Sequence, residues 1–320
     1  MANNENNIIS YMTMDLSEKR YESDMEHEMI NQNGFRKISP RDYDKDRMIF
    51  PDIFIEFIKN SQPKEWARYV KYYGEQAEEK IIRRFNDSVS SNGLLYILKN
   101  GFKDMGIEIH PCYFKPESEL NTELNRRYES NIFGITRQFA YSKENNNTID
   151  TILSLNGIPV FAFELKDQFK GQDYMNAINQ WKKDRDPKEP IFRFAQRFFA
   201  YFAVDLFEAW MTTELRGTNT YFLPFNQGSN GAGKTGGKGN PANPKGYPTA
   251  YLWERVFTKD SMIDLIAKFI TIVEEKKEET IKGKKKTSVV KKLIFPLEDI
   301  LPADEEEEQF LCDELKPKVL

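Results

Sequence analysis

The chain has 320 residues, 39% hydrophobic and 30% charged, enough for a buried core in one large domain with appendages or in two domains. Two distant cysteines, Cys112 and Cys312, and two histidines, His27 and His110, argue against a disulfide framework, a Cys- or His-ligated zinc site and a Ser-His-Asp triad, so chemistry has to lean on carboxylates and lysines. A formal net charge of −4 does not by itself suggest a nucleic-acid binder; no signal peptide or membrane span is visible, since Asp205 and Glu208 break the longest apolar stretch, Phe198 to Trp210, and a cytoplasmic location is expected.

Residues 1–18 are a polar N-terminal segment. From Lys19 to Asn33, Tyr21, Met25, Met29 and Ile30 recur at helical spacing and Gly34 stands where a C-cap glycine would, so a helix opens the fold, carrying the acidic Glu22, Asp24, Glu26 and Glu28. Helical character returns over Trp66 to Phe85, and again around Leu94 to Phe102 before Gly106. From Ile132 the pattern changes to short strands, Phe133 to Tyr141, Thr148 to Leu155 and Ile158 to Leu165, with Asn156-Gly157 as a hairpin turn between the last two. A helix over Tyr174 to Asp184 follows, then two more strands, Phe198 to Val204 and Ala209 to Thr213. Strands around a helix indicate an α/β or α+β fold.

Lys182, Lys183, Arg185, Lys188, Arg193 and Arg197 cluster in this middle region, either as a face that tracks phosphates or as a solvated surface. Gly228 to Pro248 is a glycine, asparagine, lysine and proline loop that cannot pack alone. Tyr251 to Val273 is expected to be helical, with Leu265, Ile266, Phe269, Ile270 and Val273 as an apolar stripe. Beyond it, 274–320 reads as a charged linker and weakly ordered tail, from Lys282-Gly-Lys-Lys-Lys286 to Asp304-Glu-Glu-Glu-Glu308.

The most informative residues interrupt the apolar hairpin. Glu164 and Lys166 are two apart and so share a strand face, and Asp150 returns on the neighbouring strand. Two carboxylates and the Leu165 backbone carbonyl are the hard oxygen ligands that Mg²⁺ prefers, while a lysine can orient or deprotonate water. An isolated ExK is more often an exposed strand-end pair; here the preceding Asp, the apolar strand and the following helix with Gln180 favour chemistry. One conflict arises. A plain two-residue turn at Asn156-Gly157 would pair Leu155 with Ile158 and Asp150 with Phe163, placing Asp150 on the face opposite Glu164. An irregularity between Asp150 and Glu164 is therefore predicted, with Pro159 a suitable place because it cannot donate a ladder hydrogen bond.

Gly134-Ile-Thr-Arg-Gln-Phe, Asp150, Phe163-Glu-Leu-Lys166, Asn179-Gln-Trp-Lys-Lys-Asp-Arg-Asp-Pro187, Phe222-Leu-Pro-Phe-Asn226 and Tyr251-Leu-Trp-Glu254 together resemble the N-terminal nuclease region of the R subunit of type I restriction enzymes, over roughly residues 20 to 275. The opening Tyr21-Glu-Ser-Asp-Met-Glu26 is similar to the start of some members. The resemblance implies a PD-(D/E)xK restriction-endonuclease-like core, a mixed central sheet flanked by helices, within residues 19–273. It implies an endonuclease dependent on Mg²⁺, with Mn²⁺ able to substitute, that hydrolyses DNA in defence against foreign DNA. Asp150 and Glu164 would bind metal and Lys166 would be catalytic. Gln180 would contact DNA, although Asp184 stands where a QxxxY motif has tyrosine, and Lys182, Lys183 and Arg185 of the basic cluster are candidate DNA contacts beside it. Expected partners are DNA and the modification (methyltransferase) and specificity subunits. ATP is expected only for members that continue into helicase-type motor domains; this chain ends at Leu320 after its acidic tail, as a truncated product or a short stand-alone relative.

Two other readings stand beside this one: a catalytically silent fragment that binds DNA or partner subunits, and a P-loop ATPase. Gly228-Ser-Asn-Gly-Ala-Gly233-Lys234-Thr235 matches G-x-x-x-x-G-K-[ST], but a working P-loop opens directly into a helix, and Gly236-Gly-Lys-Gly-Asn-Pro241 follows instead. No nucleotide-binding residues are assigned, and the loop is expected to be irregular, with Lys234, Lys238 and Lys245 available to DNA.

Overall fold

The computed structural model describes residues 18–118, 120–167, 171–281 and 284–295; the N-terminal segment through residue 17, the acidic tail and Cys312 lie outside the described residues. Helix α1 spans Glu18–Asn31, followed by the short strand β1, Arg36–Lys37. Helices α2 (Pro51–Ser61), α3 (Pro63–Tyr73), α4 (Ala77–Asn92) and α5 (Leu94–Asn100) form a helical layer with the small hairpin of β2 (Phe102–Asp104) and β3 (Ile107–Ile109). Helix α2 was not visible in the sequence pattern, yet Pro51 at its first position is pre-set for a helix start, and Phe54, Ile55, Phe57 and Ile58 make a buried face. After α6 (Thr122–Glu129) come β4 (Phe133–Ala140), β5 (Thr148–Leu155) and β6 (Ile158–Leu165), then α7 (Tyr174–Lys183), β7 (Ala200–Val204), β8 (Ala209–Thr212) and β9 (Leu223–Pro224).

These strands build one mixed seven-stranded sheet in the order β1-β4-β5-β6-β7-β8-β9. β6 and β7 run parallel, and α7 lies in the crossover that a parallel pair requires. The fold is thus α/β, consistent with the expected PD-(D/E)xK-like core. Apolar residues occupy both faces. Leu153, Phe161, Phe163, Leu165, Phe202 and Val204 belong to the larger core, and Ile152, Ala162, Tyr201 and Ala203 to a second core closed by Ala177, Ile178 and Trp181 of α7. Each such large apolar side chain contributes about 1.5–3 kcal/mol through burial.

Two expectations are corrected. The helix expected over Tyr251 to Val273 is broken into short helical turns at Leu252–Val256 and Leu265–Phe269 around α8, Lys259–Asp264. Chain direction then changes into β10 (Thr271–Ile281), which pairs with β11 (Lys284–Ile294) in an antiparallel hairpin where a linker had been expected. The charge that looked like linker composition is partly cross-strand complementarity, as in Glu274–Lys291 at 3.0 Å and Glu275–Lys292 at 2.6 Å. No described helix is long and apolar enough to cross a membrane.

Candidate active site

The β5–β6 hairpin carries the expected irregularity. Leu155 pairs with Ile158 and Ser154 with Pro159, but Leu153 pairs with Phe161, so Val160 is an extra residue on β6. From there Thr151 faces Phe163, and the same register carried one step on sets Asp150 against Glu164. Asn156 and Gly157 make the turn with φ of +53° and +80°. Asn156 is fully buried; its side chain accepts from the Ile132 amide at 2.6 Å and donates to the Pro111 carbonyl and Asn131, each at 2.9 Å.

Asp150, Glu164 and Lys166 converge at the end of this ladder. Asp150 Oδ2 accepts the Leu165 amide at 2.8 Å and lies 3.6 Å from Lys166 Nζ. Lys166 Nζ also donates to the Leu165 carbonyl at 3.0 Å, which takes one lone pair of that oxygen and leaves the other. Glu164 is 0% exposed, with Oε1 accepting from Arg185 Nε at 3.1 Å and Nη2 at 2.5 Å. Its other oxygen, Oε2, is buried without a hydrogen-bond partner. Burial, helped by the negative charge of Asp150, raises the Glu164 pKa well above the usual carboxylate range and outweighs the opposing pull of Arg185 and Lys166.

The other candidates are dispersed. Gln180 and Lys182 are half-buried on α7, and Lys183, Lys188 and Arg193 are exposed. Arg185, expected to contact DNA, is instead 3% exposed and engaged with Glu164. Arg197 is likewise withdrawn from any basic face, donating to the Arg47 and Met48 carbonyls and to Asn86. His27, His110 and Cys112 lie apart from the site: Cys112 is a buried free thiol, and His110 flanks Glu108. Among the described residues, no group of three or more His, Cys, Asp or Glu is gathered as a metal cluster, which leaves two carboxylates and a carbonyl as the donor set.

Behind Asp150 lies a shell that the sequence pattern did not reveal. Gln138 falls between the pairs Arg137–Thr151 and Phe139–Ile149, with φ of +48°, a conformation that costs a residue other than glycine about 1–3 kcal/mol. Two bonds hold it there, a donation to Glu22 Oε1 at 3.0 Å and an acceptance from Thr148 Oγ1 at 3.2 Å. Glu22, buried on α1, also takes Arg137 Nη2 at 2.8 Å. The only sequence signal for this shell is the opening Tyr21-Glu-Ser-Asp-Met-Glu26 run, which marks the segment but not its partners.

The P-loop-like run adopts no helix. Gly233 has φ of +75°, Lys234 closes a turn onto the Gly231 carbonyl at 3.2 Å, and the next helical turn begins only at Pro248. A phosphate cradle opening onto a helix N-terminus is therefore absent at this run.

Residues 15–220 match the family model described as the type I restriction enzyme R protein N terminus. The chain belongs to that family. No curated protein matches it significantly. In this R-protein N terminus, the matched region holds β5, β6 and α7, and with them Asp150, Glu164, Lys166 and Arg185.

Proposed function

We propose that this R-protein N terminus is the Mg²⁺-dependent endonuclease part of a type I restriction enzyme, hydrolysing phosphodiester bonds of foreign DNA. The observation that carries the reading is the register shift at Val160, which sets Asp150 against Glu164 and beside Lys166. The residues fit a small hard cation: Glu164 Oε2 is a buried oxygen without a donor, and Asp150 adds a second carboxylate across the ladder. Asp150 and Glu164 would hold the ion, joined by the Leu165 carbonyl. When bound, the ion supplies Lewis-acid polarisation of the phosphate.

The chain's own groups do the rest. Lys166, anchored on the Leu165 carbonyl and facing Asp150, would place its side-chain nitrogen where an attacking water is oriented by the ammonium or deprotonated by the neutral amine. Gln180, Lys182 and Lys183 on the adjoining helix would meet the DNA backbone in this reading. DNA and the modification and specificity subunits are the partners of this reading.

Nicking of circular DNA in Mg²⁺, compared between the wild-type chain and Glu164→Ala, tests it, with Mn²⁺ calorimetry as a second readout because members cleave inside a larger complex. Nicking or Mn²⁺ binding that is lost in Glu164→Ala supports the reading. Neither nicking nor Mn²⁺ binding in the wild type leaves the silent DNA- or subunit-binding fragment as the better account.

A further inference from the structure

A carboxylate stripped of water needs a fixed counter-charge, and the one on Glu164 is unusually constrained. Arg185 lies just past the end of α7 and donates to Glu164 Oε1 through two nitrogens, at 3.1 and 2.5 Å. Its Nη2 also donates to the Thr148 carbonyl at 2.6 Å, at the start of the strand that carries Asp150. The guanidinium lies over two rings, Tyr141 at 5.6 Å and Trp181 at 5.9 Å. Asn147 fixes the same segment by donating to the Asp184 carbonyl at 3.1 Å. The side chain is therefore walled in by two aromatic rings, a strand end and a carboxylate, and at 3% exposure it cannot reach a DNA phosphate without unpacking.

We infer that Arg185 is a positioning residue for the metal ligand Glu164: it occupies Oε1, fixes the rotamer and leaves Oε2 as the oxygen presented to the cation. This rests on the proposed metal role of Glu164. The division of labour between the two oxygens is the supporting observation, since one is doubly bonded and the other, equally buried, has no partner. A planar fork suits this task better than an ammonium, because it can bond one carboxylate oxygen twice while a further N–H reaches the Thr148 carbonyl.

The test is calorimetric titration of the full-length chain with Mn²⁺ alone, for wild type, Arg185→Met, Arg185→Lys and Glu164→Ala, alongside DNA affinity measured in EDTA. The expected result is about ten- to a hundredfold weaker Mn²⁺ binding in Arg185→Met, the usual consequence of losing the group that orients a ligand, with a smaller loss in Arg185→Lys. DNA affinity in EDTA should stay unchanged, which a general loss of structure would not allow. Unchanged Mn²⁺ affinity in a folded Arg185→Met, or in Arg185→Lys if the methionine variant does not fold, overturns the inference. So does a loss confined to DNA affinity, which would make Arg185 a DNA contact. Loss of Mn²⁺ binding in Glu164→Ala but not in the Arg185 variants defeats this inference alone; unchanged binding in Glu164→Ala defeats the metal reading on which it rests.

Discussion

Lys166 and Glu164 sit two residues apart, yet their surroundings differ. Lys166 has its amine on a carbonyl and beside Asp150, at the mouth of the ladder, whereas Glu164 is sealed behind Arg185. Replacing Lys166 by methionine should therefore lower single-turnover cleavage by about 10²–10⁴-fold, the range for a lost proton-handling group, while Mn²⁺ affinity changes far less. Parallel losses of both would mean that the lysine organises the carboxylates instead. The raised pKa of Glu164 also fixes a sign. In the metal-free protein, the stability that its bound proton gives is complete below the ordinary carboxylate range and is lost as pH rises through the raised value. A cation on Glu164 has to displace that proton, so the gain in Tm at a fixed Mn²⁺ concentration should grow as pH rises through the raised value. Equal gains would place the metal elsewhere.

At the scale of elements, the hairpin turn is structural in an unusual way, because its Asn156 is buried and bonds three separate segments. Asn156→Ala removes those bonds from groups that water cannot reach and should destabilise the fold by about 2–4 kcal/mol, seen as a lower denaturation midpoint at unchanged slope. A loss no larger than that of an exposed asparagine would show that the turn is not the lock described. The sequence made much of this region legible: Thr148–Leu155 and Ile158–Leu165 are strands over their full expected lengths, and the need for an extra residue followed from side-chain alternation alone. The choice of Val160 did not, because it depends on how β6 meets its neighbours, including the Phe199 amide that donates to the Val160 carbonyl at 2.8 Å. The burial of Arg185 was not legible for a similar reason. A cationic letter among other cations looks solvated, and only the tertiary placement of Glu164 draws it inward. The β10–β11 hairpin escaped because its stability lies in pairs across the strands that no local pattern displays.

At the scale of the whole molecule, the family match ends at residue 220, but the packing does not. Phe225, Tyr251, Leu252, Trp253 and Phe257 are buried in the larger core, and Phe257 touches both Phe161 and Phe163 of β6. The chain also closes on itself, since Tyr21 bonds Thr249 at 2.7 Å and Asn33 donates to the Trp253 carbonyl at 2.6 Å. A chain stopped after residue 220 should therefore lack a cooperative unfolding transition, whereas one stopped after Phe295 should keep it. Calorimetric scans of the two fragments decide this, and an intact transition in the shorter one would show that the later segment only decorates the fold. In the full chain, Mn²⁺ at a hundredfold excess over its Kd should add about 2.7 kcal/mol of stability, and Glu164→Ala should abolish that gain.

The extra residue at Val160 makes the hairpin sensitive to parity. Side chains alternate between the two faces, so the number of residues between Asp150 and Glu164, counted as odd or even, decides whether the carboxylates meet. Exchanging one amino acid for another leaves that parity alone. Losing or gaining a single codon there inverts it and sends one acid into the apolar layer, while a compensating change elsewhere in the same stretch brings it back. Outside the Asn156-Gly157 turn, this segment is thus constrained more in its length than in its letters, and second-site insertions should rescue single-residue deletions that no substitution can repair.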